Sequence, residues 1–93
     1  MDSLVLDIGG EIGALVIHTG PTLAEREIEI SPATDRNAKR EHNVVHPRTD
    51  RHRTAYTAVF PSVPAGDYTV WAPDGTPDTV ITIRGGEVTE HHM

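Results

Sequence analysis

Short apolar-alternating segments separated by glycine and proline constrain the fold of this chain more than any other feature of its sequence. No segment has apolar residues at i, i+3, i+4 and i+7 over the roughly ten residues that an amphipathic helix requires. Residues 25–30, by contrast, end in alternating charge and isoleucine. This pattern is typical of a half-exposed strand, because successive side chains face opposite sides of a sheet. We therefore expect strands throughout, with Ile28 and Ile30 pointing inward.

The predicted strands follow one another at short intervals, and turn-forming residues stand between them. Gly9 and Gly10 can supply the positive φ of a tight hairpin. Pro21 ends the second strand, since proline has no N–H to donate to a ladder. Seven or eight short strands in 93 residues predict an all-β fold, either a sandwich or a small barrel. We expect strands at residues 4–8, 11–18, 25–30, 54–60, 67–72, 79–83 and 87–90, with a short one at 43–46 inside a long loop or flap.

Length and composition predict one globular domain that spans residues 1–93. Hydrophobic residues make up 37% of the chain and charged residues 24%, which lies within the range of folded proteins. The chain has no cysteine, so a disulfide scaffold is excluded. Asp2 stands where a secretory signal would carry Lys or Arg, and no apolar run is long enough to span a bilayer. We expect a cytoplasmic protein that does not enter a membrane.

Charge is distributed unevenly along the chain. The formal net charge of −6 argues against a nucleic-acid binder, which needs a basic footprint for phosphate contacts. Six of the eight basic residues fall in residues 36–53, called here the basic segment, and only Glu41 and Asp50 oppose them there. The segment therefore carries +4, and the rest of the chain, with two basic residues against twelve acids, carries −10.

Residues 60–70, with the sequence FPSVPAGDYTV, resemble the signature of transthyretin-like (prealbumin-like) sandwiches, which include carboxypeptidase regulatory-like domains. The resemblance implies that Phe60 ends a strand in the core and that Val63 fills the corner. Gly66 would adopt a backbone shape forbidden to other residues. The Tyr68 hydroxyl can hydrogen-bond back to the corner, as in the tyrosine corner of Greek-key sandwiches. The resemblance extends over nearly the whole chain and implies a prealbumin-like fold, a two-sheet Greek-key β-sandwich of about seven strands, but little about function.

Catalysis finds little support in the sequence. The hydrolase branch of the resembled family ends in Tyr-Arg-Gly-Ser and has paired His and Arg residues, whereas this chain ends in Glu-His-His-Met. No nucleophile motif or phosphate-binding glycine loop is present. The leading hypothesis is a non-enzymatic binding or regulatory module that acts through protein–protein contacts, and a transthyretin-related hydrolase is a minor alternative.

Two features are predicted to contact a partner. The basic segment can dock on an acidic protein surface, although a solvated loop that balances an acidic body would look the same. Trp71 faces away from the core if Tyr68 and Val70 face inward, and an outward Trp is common at interfaces, including those of homodimers. Alternatively, a loop or the first strand covers Trp71. The candidate partner-binding residues are Arg36, Lys39, Arg40, Arg48, Arg51, Arg53 and Trp71.

The histidines of the basic segment suggest a second class of function. His42, His46 and His52, with Asp50, are candidate ligands for zinc or copper, because neutral imidazole suits both metals. The alternative to such a metal- or small-ligand-binding protein is a solvated loop with no cofactor. His91 and His92 are expected in a frayed terminus, and His18 at a structural or surface position.

Overall fold

The computed structural model describes residues 6–35 and 37–93, which form an all-β sandwich of two four-stranded sheets. The prediction of a two-sheet β-sandwich is confirmed, with eight strands in the described residues in place of about seven. One short 3-10 helix, Pro21–Leu23, follows the first strand. The strands are β1 (Ile12–Thr19), β2 (Glu27–Pro32), β3 (Glu41–Val44), β4 (His46–Thr49), β5 (Thr54–Pro64), β6 (Gly66–Trp71), β7 (Pro77–Ile83) and β8 (Val88–His92).

The two sheets differ in strand order and are joined by chain crossings. Sheet A has the order β4-β5-β1-β8, and sheet B has the order β3-β2-β6-β7. All neighbouring strands are antiparallel except β1 and β8, which run parallel. The chain passes from one sheet to the other after β1, β3, β5 and β7. Each sheet is therefore assembled from distant parts of the sequence.

The core lies between the sheets and is filled by the inward faces of β1, β2, β5, β6 and β7, together with Val45 between β3 and β4. Leu15 and Ile17 of β1 are fully buried, as are Ile28 and Ile30 of β2, which confirms the alternation predicted for that segment. Burial of such side chains stabilises the fold by about 1.5–3 kcal/mol each. The other core residues are Val45, Ala58, Phe60, Val63, Val70 and Ile83.

The corner between β5 and β6 contains the contacts that the sequence predicts. Phe60 and Val63 are each 1% exposed. Gly66 has a φ of +151°, which disfavours any side chain there. The Tyr68 hydroxyl donates a hydrogen bond of 2.7 Å to the Pro64 carbonyl oxygen. Burial of the phenol raises the pKa of Tyr68, and the nearby Glu41 carboxylate adds to the effect. The corner is tighter than expected, because β5 runs on to Pro64 and only Ala65 separates it from β6.

Two sequence-based expectations are wrong in the described residues. Residues 6–8 are not a strand, and residues 4 and 5 of the predicted strand lie outside the described residues. The tight turn expected at Gly9 and Gly10 is present, because Gly9 and Ile12 exchange two backbone hydrogen bonds of 2.9 Å across it and Gly10 has a φ of +56°. The expected long loop at 36–53 contains two strands, β3 and β4. Both lie at sheet edges, where polar and charged side chains and Pro47 are tolerated. Their polarity makes edge strands look like a loop in the sequence.

Candidate functional site

The fold divides the basic segment between the two sheets. β3 lies in sheet B and β4 in sheet A, and the chain crosses between them at Val45, which is fully buried. The Val45 amide donates to the Arg26 carbonyl oxygen, and its own carbonyl accepts from the Glu25 amide. These bonds fix the crossing. Lys39, Arg40 and His42 therefore accompany sheet B, whereas His46, Arg48, Arg51, His52 and Arg53 accompany sheet A; Arg36 lies outside the described residues.

On sheet B, Arg40 covers the ring of Trp71. The guanidinium carbon of Arg40 lies 3.8 Å from the centroid of the Trp71 ring, within cation–π range. One of its nitrogens donates to a carboxylate oxygen of Glu29 at 3.1 Å. Beneath it, the indole N–H of Trp71 donates to the Ser31 hydroxyl at 2.8 Å, and Ser31 is itself 1% exposed. We call these four residues the Trp71 cluster.

The position of Trp71 corrects one prediction. Strand alternation places it correctly on the outer face of sheet B, opposite Glu29. Its ring is nevertheless only 7% exposed, because Arg40 lies over it. The loop-covered alternative is therefore the one the structure shows. Trp71 is therefore not an open contact surface, whereas the Arg40 side chain that covers it remains about 32% exposed.

On sheet A, a tight turn joins β4 to β5 and carries two arginines. The Asp50 carboxylate accepts hydrogen bonds from the His52 and Arg53 amides at 2.7 and 3.1 Å. These backbone bonds, His52 first, lower the pKa of Asp50 below its ordinary value, and the charge of Arg53 adds to them. The Thr49 and Thr54 hydroxyls meet across the turn at 3.0 Å. We call residues 46–54 the basic hairpin.

The three arginines of the basic hairpin have different surroundings. Arg48 donates from Nε to the Thr57 hydroxyl at 2.7 Å, and Thr57 is 4% exposed. Arg51 and Arg53 are exposed. Within residues 6–35 and 37–93, neither of these two guanidinium groups forms a hydrogen bond or ion pair in the structure. Arg51 and Arg53 are therefore available to solvent and to a ligand.

The three candidate metal ligands do not form a metal centre in the part of the chain that the structure describes. There, no three His, Cys, Asp or Glu side chains are grouped so that they could hold a metal ion. The candidate ligands are separated because the basic segment is divided between the sheets. His42 lies on β3 of sheet B, whereas His46 begins β4 of sheet A. His52 lies in the turn beyond β4.

Three histidines share one row on the outer face of sheet A, although no motif in the sequence indicates such a group. Strand register places His46 opposite Thr57, Thr57 opposite His18, and His18 opposite His92, in one row across four strands. The His18 and His92 rings stack with centroids 4.5 Å apart. His18 Nε2 lies 2.9 Å from a carboxylate oxygen of Glu90.

A cleft of about 500 Å³ lies beside this histidine pair, at the end of the sandwich that carries the basic hairpin. Polar groups and apolar surface both contribute to its wall, and Pro21 and Ala55 add to the apolar part. We call it the histidine cleft. Six of its lining residues matter here, namely His18, Arg53, Thr54, Tyr56, Glu90 and His92.

The sequence gives no sign of this cleft, because its lining residues come from three separate segments, 18–21, 53–56 and 90–92. The parallel pairing of β1 with β8 brings His18 beside His92, although 74 positions separate them in the chain. The expectation of a frayed terminus is wrong for His91, which lies on β8 and contacts an Asp78 carboxylate oxygen at 2.9 Å. It is also wrong for His92, which lies on the same strand.

No family model matches the chain, and neither the curated proteins nor the solved structures contain a match. In residues 6–35 and 37–93, no helix has the length and apolar character needed to cross a membrane.

Proposed function

We propose that this chain is a non-enzymatic binding module that acts through contact with an acidic protein partner, and that the basic hairpin is its docking surface. The proposal rests on which charged groups of the basic hairpin already have partners within the chain and which do not. Arg51 and Arg53 are exposed, and within the described residues neither guanidinium group forms a hydrogen bond or an ion pair. The single acid of the turn, Asp50, accepts hydrogen bonds from two backbone amides and interacts with Arg53 only through its charge. The exposed imidazoles of His46 and His52 stand on the same hairpin.

The charge of the rest of the molecule supports this role. Residues 46–54 carry +2, three arginines against Asp50, and the rest of the chain carries −8, so the hairpin is a positive projection on a negative protein. Such separation orients an approaching partner and raises its rate of association. An acidic partner surface is attracted to the hairpin and repelled elsewhere, which selects one docking geometry.

The transthyretin-like assignment is also part of the proposal. It is supported by the resemblance at residues 60–70 and by the bond from the Tyr68 hydroxyl to the Pro64 carbonyl oxygen, which the resemblance implies. A cytoplasmic location remains a prediction from the sequence.

Charge reversal on the hairpin tests the docking surface. The probe is a fluorescent oligoglutamate peptide, whose binding is followed by anisotropy at low salt. The Arg51→Glu/Arg53→Glu double variant should weaken binding about tenfold, because two attractions become repulsions. The matched control is Arg84→Glu, an exposed arginine after β7, at the opposite end of the sandwich.

The control should bind as the unaltered chain does, apart from a small uniform effect of net charge. Equal weakening by Arg51→Glu and Arg84→Glu as single variants would show that only net charge matters. That result, or the lack of any saturable binding, would contradict the proposal.

A further inference from the structure

We propose that the histidine cleft receives one aromatic side chain of the partner, flanked by acidic residues that face Arg53. This inference rests on the proposed function, since it specifies the sequence of the partner segment that docks on the hairpin. It assigns a binding role to the end of sheet A that is built from β1, β5 and β8.

The first argument is position. Arg53 belongs both to the basic hairpin and to the wall of the cleft. A chain that pairs its carboxylates with Arg51 and Arg53 therefore places its next side chain at the mouth of the cleft. The distance is short, since one arginine connects the two surfaces.

The second argument is chemistry. Pro21, Ala55 and Tyr56 contribute apolar groups to the wall of the cleft, and the rings of His18 and His92, which also line it, are stacked on each other. The wall therefore combines apolar surface with polar groups, and aromatic anchors that fill pockets dominate many interfaces. A volume of about 500 Å³ has room for a Phe side chain and its neighbouring backbone.

The third argument is charge. Glu90 would repel an acidic segment, but His18 contacts its carboxylate at 2.9 Å. The Arg53 guanidinium has no such bond within the part of the chain that the structure describes, although Asp50 lies close enough for their charges to interact. The exposed Arg53 side chain in the wall of the cleft therefore favours acids on either side of the aromatic residue, and disfavours lysine or arginine there.

The test compares two peptides on the same protein. The first is the oligoglutamate peptide, and the second is the same peptide with its central Glu replaced by Phe. The second peptide has one negative charge fewer, so a purely electrostatic surface binds it more weakly. If the Phe ring fills the cleft, the second peptide should instead bind about tenfold more tightly than the first, because the ring is buried.

Two variants test whether the gain in affinity from Phe arises in the histidine cleft. His92→Gln removes an imidazole from the cleft wall and should abolish most of the gain from Phe. His52→Gln changes an exposed histidine of the turn that does not line the cleft, and should retain the gain. Thermal unfolding of both variants confirms that each is folded before binding is compared.

The outcomes separate this inference from the proposed function. Tighter binding of the Phe peptide that is lost only in His92→Gln supports the cleft. Weaker binding of the Phe peptide, or an equal gain in His92→Gln and the unaltered chain, overturns the cleft and leaves hairpin docking intact. Failure of both peptides to bind overturns docking itself.

Discussion

Arg40 and Arg53 come from one basic segment but have opposite roles on opposite faces of the sandwich. Arg40 lies on sheet B, stacked on Trp71 and paired with Glu29. Arg53 lies on the sheet A side, at the end of an ordered turn, and is exposed in the wall of a cleft. Residues that cluster in the sequence of the basic segment therefore do not cluster in space. Arg40 covers an aromatic ring, whereas Arg53 is exposed to solvent.

The largest expected effect is a loss of stability on sheet B, where Arg40 covers Trp71. Trp71→Ala removes a buried ring, the base on which Arg40 stacks and the donor to buried Ser31. The free energy of unfolding should fall by about 3–5 kcal/mol. Urea unfolding followed by circular dichroism measures this change.

The control variant lies on sheet A, where His46 of β4 has an exposed imidazole. His46→Ala should change the free energy of unfolding by no more than about 0.5 kcal/mol. Similar losses in Trp71→Ala and His46→Ala would mean that the two faces do not differ as described.

A direct comparison of the two arginines should show a smaller change in the free energy of unfolding. Arg40→Gln removes the cation–π contact and the ion pair to Glu29, and should lower the free energy of unfolding by about 1–2 kcal/mol. It should also shift the Trp71 fluorescence maximum to longer wavelength, because water reaches the ring. Arg53→Gln should leave both quantities unchanged within about 0.5 kcal/mol for the stability. Equal destabilisation by the two variants would contradict the division of roles.

Sequence reasoning succeeded where the determining interactions are local. The corner from Phe60 to Tyr68 is specified by residues a few positions apart, so its buried side chains, its glycine and its hydroxyl bond follow from the pattern. Alternation likewise identified the inward isoleucines of β2 and the outward side of Trp71.

The remaining features depend on contacts between distant segments. Nothing near Trp71 in the sequence indicates that Arg40 covers it, because the two residues meet only when β2 brings β3 and β6 into one sheet. The pairing of His18 with His92 depends on the parallel register of β1 and β8. The hairpin arginines were identified from composition, but their separation from Arg40 required the crossing at Val45.

The most direct test of the account follows both faces in a single titration. Oligoglutamate peptide is added to ¹⁵N-labelled protein, and the Trp71 indole N–H, the one indole in the chain, reports on sheet B. The account predicts that the backbone amides of His52 and Arg53 shift saturably while the indole signal stays in place. A shifted indole with unchanged hairpin amides would show that sheet B binds the acidic partner, and would contradict the account.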